Sequence, residues 1–270
     1  MDVEITKDLT YAEVDGQPLA LDLYRPVTDD DVPVVLYLHG GGYRVGDKTD
    51  DVRRLAGLAS EGIAVASANY RLVPHVTYPA PVHDAKAAVR WLRAHAAEHR
   101  LATGSVGAWG ASAGGVLASL LGLSAGDPDL EGEVGNHAAE SSTVQAVVSW
   151  FAPSDLIANS RRSWLEKLVL DEPTEHGLFG RDAIADDDDQ VRAASPCARV
   201  TRSSPPFLLA RGDRDRIVAE HEGRALHDVL ARHGVSVTST LVGGAGHEDP
   251  RFDEPWHLAA TAAWLRQQLS

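Results

Sequence analysis

The stretch Val106-Gly107-Ala108-Trp109-Gly110-Ala111-Ser112-Ala113-Gly114-Gly115-Val116-Leu117-Ala118 constrains this chain more than any other. A short apolar run ends in Gly-Ala-Ser-Ala-Gly and continues into small and aliphatic residues at helical spacing. A strand must therefore turn sharply into a helix, with Ser112 on the turn, the arrangement of a nucleophile elbow. Gly110 and Gly114 are required because strand and helix cross too closely there for a Cβ. The turn lifts the hydroxyl above a sheet edge. The first N–H groups of the helix face the space beside it, where they stabilise developing negative charge. In a chain with 24 glycines the pattern Gly-x-Ser-x-Gly also describes an ordinary tight turn, so its meaning rests on agreement with other stretches.

Taken in order, Val3 to Ile5 and Leu19 to Tyr24 alternate apolar with polar residues around Asp15-Gly16, the pattern of an antiparallel strand pair. Val34 to Leu38 is uninterrupted, as expected of a strand covered on both faces, and ends in His39-Gly40-Gly41-Gly42-Tyr43. Three glycines after a buried strand let backbone N–H groups turn toward a ligand with no side chain in the way. A helix near Asp51 to Glu61, a strand at Ile63 to Ala68 and the segment Asn69 to Pro74 follow. Val82, Ala85, Val89, Leu92 and Ala96 then mark a long amphipathic helix ahead of the Val106 strand. Asp127 to Thr143 reads as a polar loop, Val144 to Trp150 as a strand, and Pro206 to Ala210 as another. A helix with Leu226, Val229 and Leu230 stops at Gly234, Val235 to Val242 alternates as a strand, and Asp253-Pro255 opens a final helix with Trp256, Ala260, Trp264 and Leu265 on its apolar side. This rhythm predicts an α/β fold with a mostly parallel eight-stranded sheet wrapped on both faces by helices.

Residues 156–200 are the least regular. With an amphipathic piece at Trp164, Leu165, Leu168 and Val169, they read as a short lid-like insertion over the carboxyl ends of the strands within a single domain of residues 1–270. The run Asp186 to Asp189 reads as a solvated helix start and not a metal site, since no histidine accompanies it and consecutive residues cannot all face one ion. The net charge of −14 argues against nucleic acid and against an anionic membrane surface. Cys197 is the only cysteine, which excludes an intramolecular disulfide. The amino terminus has no basic start or apolar stretch, and no run approaches a membrane span. The expectation is a cytoplasmic protein, with a homodimer left open.

A serine hydroxyl needs a base to take its proton, and that base needs an acid partner to hold its tautomer and stabilise the imidazolium. Ser112, Asp215 and His247 supply the three groups, each after an apolar strand, so all three should meet at one sheet edge. His247 sits in a glycine-rich loop. His95, His99, His221, His227 and His233 lie on helices as solvent-facing residues, His39 packs within its own loop, and His83 and Asp84 serve the helix that carries them. Asp213 and Asp155 also follow strands and compete with Asp215. Asp215 is preferred because the Gly212-Asp213 turn is explained by local backbone bonding. Acyl transfer passes through an oxyanion, and the N–H groups of Gly41, Gly42 and Ala113 are assigned as its donors.

With His39-Gly-Gly-Gly-Tyr43, Tyr70-Arg71-Leu72, Gly110-Ala-Ser-Ala-Gly114, Gly212-Asp-Arg-Asp215 and Gly246-His247 in this order, the chain resembles the α/β-hydrolase-fold esterases. Within them it is similar to the hormone-sensitive-lipase-like group and its bacterial branch of acetyl- and feruloyl-esterase-like proteins. His83 to Arg93 and Ala194-Ser-Pro196 also match that branch, and the resemblance runs from about Val14 onward. It implies Ser112 as nucleophile, His247 as base, Asp215 as acid, and Gly41, Gly42 and Ala113 as the oxyanion hole. It further implies a serine carboxylesterase that hydrolyses small esters with no cofactor or metal. Too few residues precede the first strands for the helical cap that many of these esterases carry, which leaves 156–200 as the lid. Ala152 stands where glycine is usual in the branch. An amidase of the arylformamidase type on the same triad is the alternative within this chemistry. A non-catalytic ligand-binding hydrolase fold is the alternative outside it, and it usually requires a lost triad member.

Overall fold

The hairpin around Asp15-Gly16 opens the fold in the computed structural model, which describes residues 1–161 and 173–270. Strands β1 (Val3–Val14) and β2 (Gln17–Pro26) pair antiparallel, and Asp15 and Gly16 take φ of 53° and 74°, the backbone of a two-residue hairpin turn. The chain then alternates: β3 (Val32–Leu38), α1 (Val52–Ser60), β4 (Ala64–Ala68), α2 (Ala80–Ala94), β5 (Leu101–Ala111), α3 (Ala113–Leu123) and β6 (Ala146–Trp150). After the segment 156–200 come β7 (Phe207–Gly212), α9 (Glu220–Arg232), β8 (Val237–Val242) and α10 (Pro255–Leu269). The eight strands form one sheet in the order β1-β2-β4-β3-β5-β6-β7-β8. Only the β1–β2 and β2–β4 pairs are antiparallel. This is the mostly parallel sheet expected from the sequence.

The inner parallel strands are buried on both faces, so their alternate residues feed two cores, while the edge strand β8 is largely exposed. In β3, Val34, Leu36 and Leu38 join the layer containing Val82 of α2, Val116 of α3 and Leu226 of α9. Val35 and Tyr37 join the layer containing Leu55 and Leu58 of α1 and Leu258 and Leu265 of α10. In the second layer Tyr37 meets Trp109 edge-on at 4.6 Å, and Trp109 meets Trp150 at 4.8 Å. Such pairs add about 0.5–1.5 kcal/mol each beyond the area they bury. They also make a rigid floor directly beneath the strand ends where β5 and β6 stop.

Three expectations need correction. The final helix buries His257, Leu258, Thr261, Ala262, Leu265 and Leu269, while Trp256 is 52% exposed and Ala260 also faces solvent. Of the assigned apolar side, Leu265 is in the core and Trp264 packs against it, while Trp256 and Ala260 do not. The polar stretch after α3 holds a short helix, α4 (Pro128–Glu131), because Asp127 caps it by accepting the Asp129 N–H. His95 and His99 lie at and just beyond the end of α2 and are half-buried, stacked on or tilted against Trp91 at 4.3 and 5.4 Å.

Between β6 and β7 the described residues form four short helices: α5 (Leu156–Ser160), α6 (Thr174–Phe179), α7 (Asp189–Ala194) and α8 (Pro196–Arg199). The amphipathic piece at Trp164, Leu165, Leu168 and Val169 lies outside the described residues. Asp188 accepts from Gln190 N and Val191 N at 3.1 Å each, so the aspartate run is indeed a helix start. Helix α6 lies across the glycine loop: a Cβ on Gly42 would stand 2.5 Å from Thr174 Cγ2. Among the described residues no helix is long and apolar enough to cross a membrane.

Candidate active site

The elbow forms where β5 ends and α3 begins. Ser112 has φ 53° and ψ −120°, a backbone that costs roughly 1–3 kcal/mol for a residue with a Cβ. Neighbouring bonds hold it there: Ser112 N–H donates to Trp150 O at 2.9 Å, and its carbonyl accepts from Gly115 N at 2.9 Å and Val116 N at 3.2 Å. A Cβ on Gly110 would meet Gly114 O at 2.1 Å, and one on Gly114 would meet Leu38 O at 2.0 Å. Both glycines are therefore demanded by the close crossing, as the sequence pattern required.

His247 comes from the loop between β8 and α10, and Asp215 from the loop between β7 and α9. The His247 Nδ1–H donates to Asp215 Oδ2 at 2.8 Å, and its Nε2 lies 3.0 Å from the Ser112 hydroxyl, in position to accept its proton. That acceptor role follows from the tautomer, since a carboxylate can only accept from Nδ1. Asp215 uses its other oxygen to accept from Ile217 N at 2.8 Å and Val218 N at 2.9 Å, which locks the carboxylate plane. The two loops are stitched together: Gly244 N–H donates to Asp213 Oδ1 at 2.6 Å and Arg214 N–H to Ala245 O at 2.9 Å. Asp213 thus bonds across to the histidine loop, and the expected local backbone bonding is corrected. Asp155 accepts from Ile157 N and Ala158 N at 3.1 Å as the cap of α5. Of the three aspartates it is Asp215 that bonds His247.

The loop after β3 runs beside the serine. A Cβ on Gly40 would stand 3.4 Å from Ser112 Cβ, and Gly41 and Gly42 take φ of 104° and 60°. On Gly41 a side chain would start 2.1 Å from Val45 O, so this turn excludes anything but glycine. Ala113 is buried at the first position of α3, where an α-helix leaves N–H groups without an intrahelical acceptor. His39 packs as expected within its own loop, its Nδ1–H donating to Gly40 O at 2.8 Å, and it stacks on Tyr70 at 4.4 Å. Burial pulls its imidazole below the ordinary histidine value. Asp84 does not serve its own helix. It accepts Arg71 N–H at 2.9 Å and the Arg71 guanidinium at 2.7 Å, pinning the Tyr70-Arg71-Leu72 segment to α2.

Backbone strain at the site extends beyond Ser112, which the sequence already places on a sharp turn. Tyr43, Ser112, Phe151 and Glu248 account for four of the seven non-glycine residues with positive φ among those described. Strain of this kind persists only where the surroundings over-determine it. Phe151 presents its ring to His247 edge-on at 5.0 Å. Glu248, next in the chain, bonds buried Arg54 at 3.3 Å; enclosure of its carboxyl end pushes it above the usual glutamate value, with Asp51 adding and Arg54 and His247 opposing. The positive φ has no counterpart in residue type, so only the three-dimensional backbone exposes it.

Residues 21–230 match the family BD-FAE. The chain is 31% identical over 231 residues to "Esterase LipC" of Mycobacterium tuberculosis, covering 84% of this chain and 56% of that protein. It is 29% identical over 260 residues to "Esterase LipQ" of the same organism, covering 95% of this chain and 58% of that protein. The chain thus spans a little over half the length of these curated relatives. A solved structure described as a "truncated form of carbohydrate esterase from gut microbiota" superposes with a TM-score of 0.87 at 26% identity, covering 98% of this chain and 96% of that one.

Proposed function

Because this chain belongs to the BD-FAE family, among the hormone-sensitive-lipase-like esterases of the α/β-hydrolase fold, we propose that it is a cofactor-independent serine carboxylesterase acting on small esters. One observation carries the reading: the unbroken chain from Asp215 through His247 to Ser112, with contacts of 2.8 and 3.0 Å. In this scheme Ser112 Oγ attacks the ester carbonyl while His247 Nε2 takes its proton, and Asp215 faces the positive charge that appears on the ring. The N–H groups of Gly41, Gly42 and Ala113 receive the oxyanion; donors of this kind are typically worth about 10²–10³ in kcat each. Collapse expels the alcohol, which leaves with the proton from His247. Water enters, His247 takes one of its protons, and the acyl-serine is hydrolysed by the same steps in reverse.

The domain reading is one α/β-hydrolase unit over residues 1–270 with 156–200 as its lid, supported by α6 lying on Gly42. A cytoplasmic location fits the single cysteine, Cys197, whose thiol is pushed up to about 11 by burial. The partner is a small-molecule ester, with nucleic acid disfavoured by the −14 charge. A homodimer is checked by light scattering. The decisive test is turnover of p-nitrophenyl acetate by Ser112→Ala, together with the residue that a fluorophosphonate labels in the wild type. Loss of turnover and a label on Ser112 are expected; wild-type-like turnover by the pure variant rejects the assignment. Formanilides matched to the ester panel should be slower substrates, and faster ones would make the protein an amidase.

A further inference from the structure

Behind the triad lies a buried cation that the hydrolytic scheme leaves unused. Arg54, on α1, is 2% exposed. Its Nε donates to Asp253 Oδ1 at 2.7 Å, one terminal nitrogen to the Tyr37 hydroxyl at 2.9 Å, and the other to Glu248 Oε2 at 3.3 Å. Asp51 Oδ1 lies 3.3 Å from the guanidinium and accepts the Tyr37 hydroxyl at 2.6 Å through its other oxygen. Burial works against the charge, yet the three carboxylates around it outweigh it and hold Arg54 protonated. The planar fork, which can serve several acceptors at once, is what a lysine lacks here.

This cluster touches both neighbours of the His247 ring. Glu248 follows His247 directly and is held at φ 53°. Its Oε1 lies so close to Gly40 that a Cβ there would be 2.8 Å away, and the same Cβ would be 3.4 Å from Ser112 Cβ. The glutamate and the serine therefore flank one glycine. Phe151, whose ring meets His247 edge-on, lies 5.9 Å from the Arg54 guanidinium carbon. The chain leading up to His247 has few side chains with which to pack. Gly243, Gly244 and Gly246 precede it, and a Cβ on any of them would meet nothing closer than 3.8 Å. Main-chain bonds hold this loop, from Gly244 N–H to Asp213 Oδ1 and from Arg214 N–H to Ala245 O, and the Arg54–Glu248 contact adds a side-chain hold on the residue after the histidine.

We propose that Arg54 and Glu248 are a positioning pair for the base: the guanidinium clamps the side chain that follows His247, keeping the imidazole in line between Asp215 and Ser112 while it gains and loses its proton. This rests on the serine-hydrolase reading. A clamp of this kind acts on the reacting geometry and leaves the binding of a small ester alone, so it should register in kcat and spare KM.

The test compares Glu248→Gln, Arg54→Lys, Arg54→Met and the double variant Arg54→Met/Glu248→Gln with the wild type. Turnover of p-nitrophenyl acetate is measured per active site titrated with a phosphorylating inhibitor, alongside melting temperature. Arg54→Met should lower kcat about tenfold or more with KM within about twofold. Arg54→Lys should recover part of that loss, and Glu248→Gln should lower kcat by about threefold to tenfold with melting unchanged. The double variant should be no slower than Arg54→Met, because both changes break one device. The proposal is overturned if kcat per titrated site in Glu248→Gln and Arg54→Lys stays within twofold of wild type, or if the single effects multiply in the double variant. Glu248 has a side chain 39% exposed, so Glu248→Gln and Arg54→Lys decide the matter even if Arg54→Met does not fold. A wild type with neither turnover nor titratable sites would overturn the hydrolase reading and this one with it, whereas an active wild type with unaffected variants overturns this one alone.

Discussion

Replacing Gly114 with alanine tests how far the site depends on a close crossing of two backbones. The new Cβ would stand 2.0 Å from Leu38 O, 2.5 Å from His39 O and 2.5 Å from the Leu38 carbonyl carbon. All three atoms are main chain, so no rotamer change can relieve the clash. To reach ordinary contact the start of α3 must part from the end of β3 by about 1.4 Å. Those two segments carry Ala113 on one side and lead into Gly41 and Gly42 on the other, so the parting opens the proposed oxyanion site. A misplacement near 1 Å costs about 100-fold in rate. Forced overpacking costs about 1–3 kcal/mol, which at this chain length lowers Tm by about 2–12 °C. The assay is kcat for p-nitrophenyl acetate with a thermal melt on the same preparation. Gly104→Ala, on β5 with nothing within 4 Å of the added Cβ, is the control and should leave kcat unchanged and Tm equal or slightly higher. A Gly114→Ala protein with kcat within about threefold of wild type and an unmoved Tm would refute the reasoning.

Asp215→Asn keeps an oxygen for Ile217 N and Val218 N but turns an amide donor toward His247 Nδ1, forcing the wrong tautomer; kcat should fall about 10⁴-fold with little change in Tm, and a loss under tenfold would count against Asp215 as the acid. Glu222 is buried and accepts from Ser154 N and Asp155 N at 2.9 Å each, so Glu222→Ala strands two donors and should cost about 2–4 kcal/mol in urea unfolding; a change below about 0.5 kcal/mol would show that water replaces it. His257 is 1% exposed, donates to Phe252 O at 3.0 Å, and is pulled below the ordinary histidine value mainly by burial. Above pH of about 6.5 both folded and unfolded chains hold it neutral; below that the unfolded chain protonates first, so its stabilising contribution is lost as pH falls toward the folded value. The Tm of His257→Phe should therefore drop less than that of wild type between pH 7.5 and 5, and an equal drop would exclude His257 as a source of the acid sensitivity.

The strands and the elbow were legible because their signals are local. The apolar run Val34 to Leu38, the Asp15-Gly16 turn and Gly110 against Gly114 O each answer a demand set within a few residues, whereas the main chain of β3 at Leu38 is what holds position 114 to glycine. The phase of α10 was not legible. Alanines and leucines occur all around that helix, so its periodicity is weak and it is packing on the sheet that shows which side is buried. Asp213 looked like a self-bonded turn residue because its acceptor role is local in most chains; here the donor is Gly244, 31 positions away. Arg54 drew no reading from the sequence, because only Asp51 among its partners is near it in the chain.

Residue order alone determined which groups stand at strand ends, since a parallel α/β sheet sends every strand's carboxyl end to one rim and the chain places Ser112, Asp215 and His247 just past three of them. Tertiary structure decided which of those groups meet and how they are held. The His247–Ser112 contact joins positions 135 apart, and the Arg54 bonds to Glu248 and Asp253 join positions 194 and 199 apart. A hydrogen bond depends on distance and angle to a few tenths of an ångström, and over such separations those are set by the packing of every layer in between.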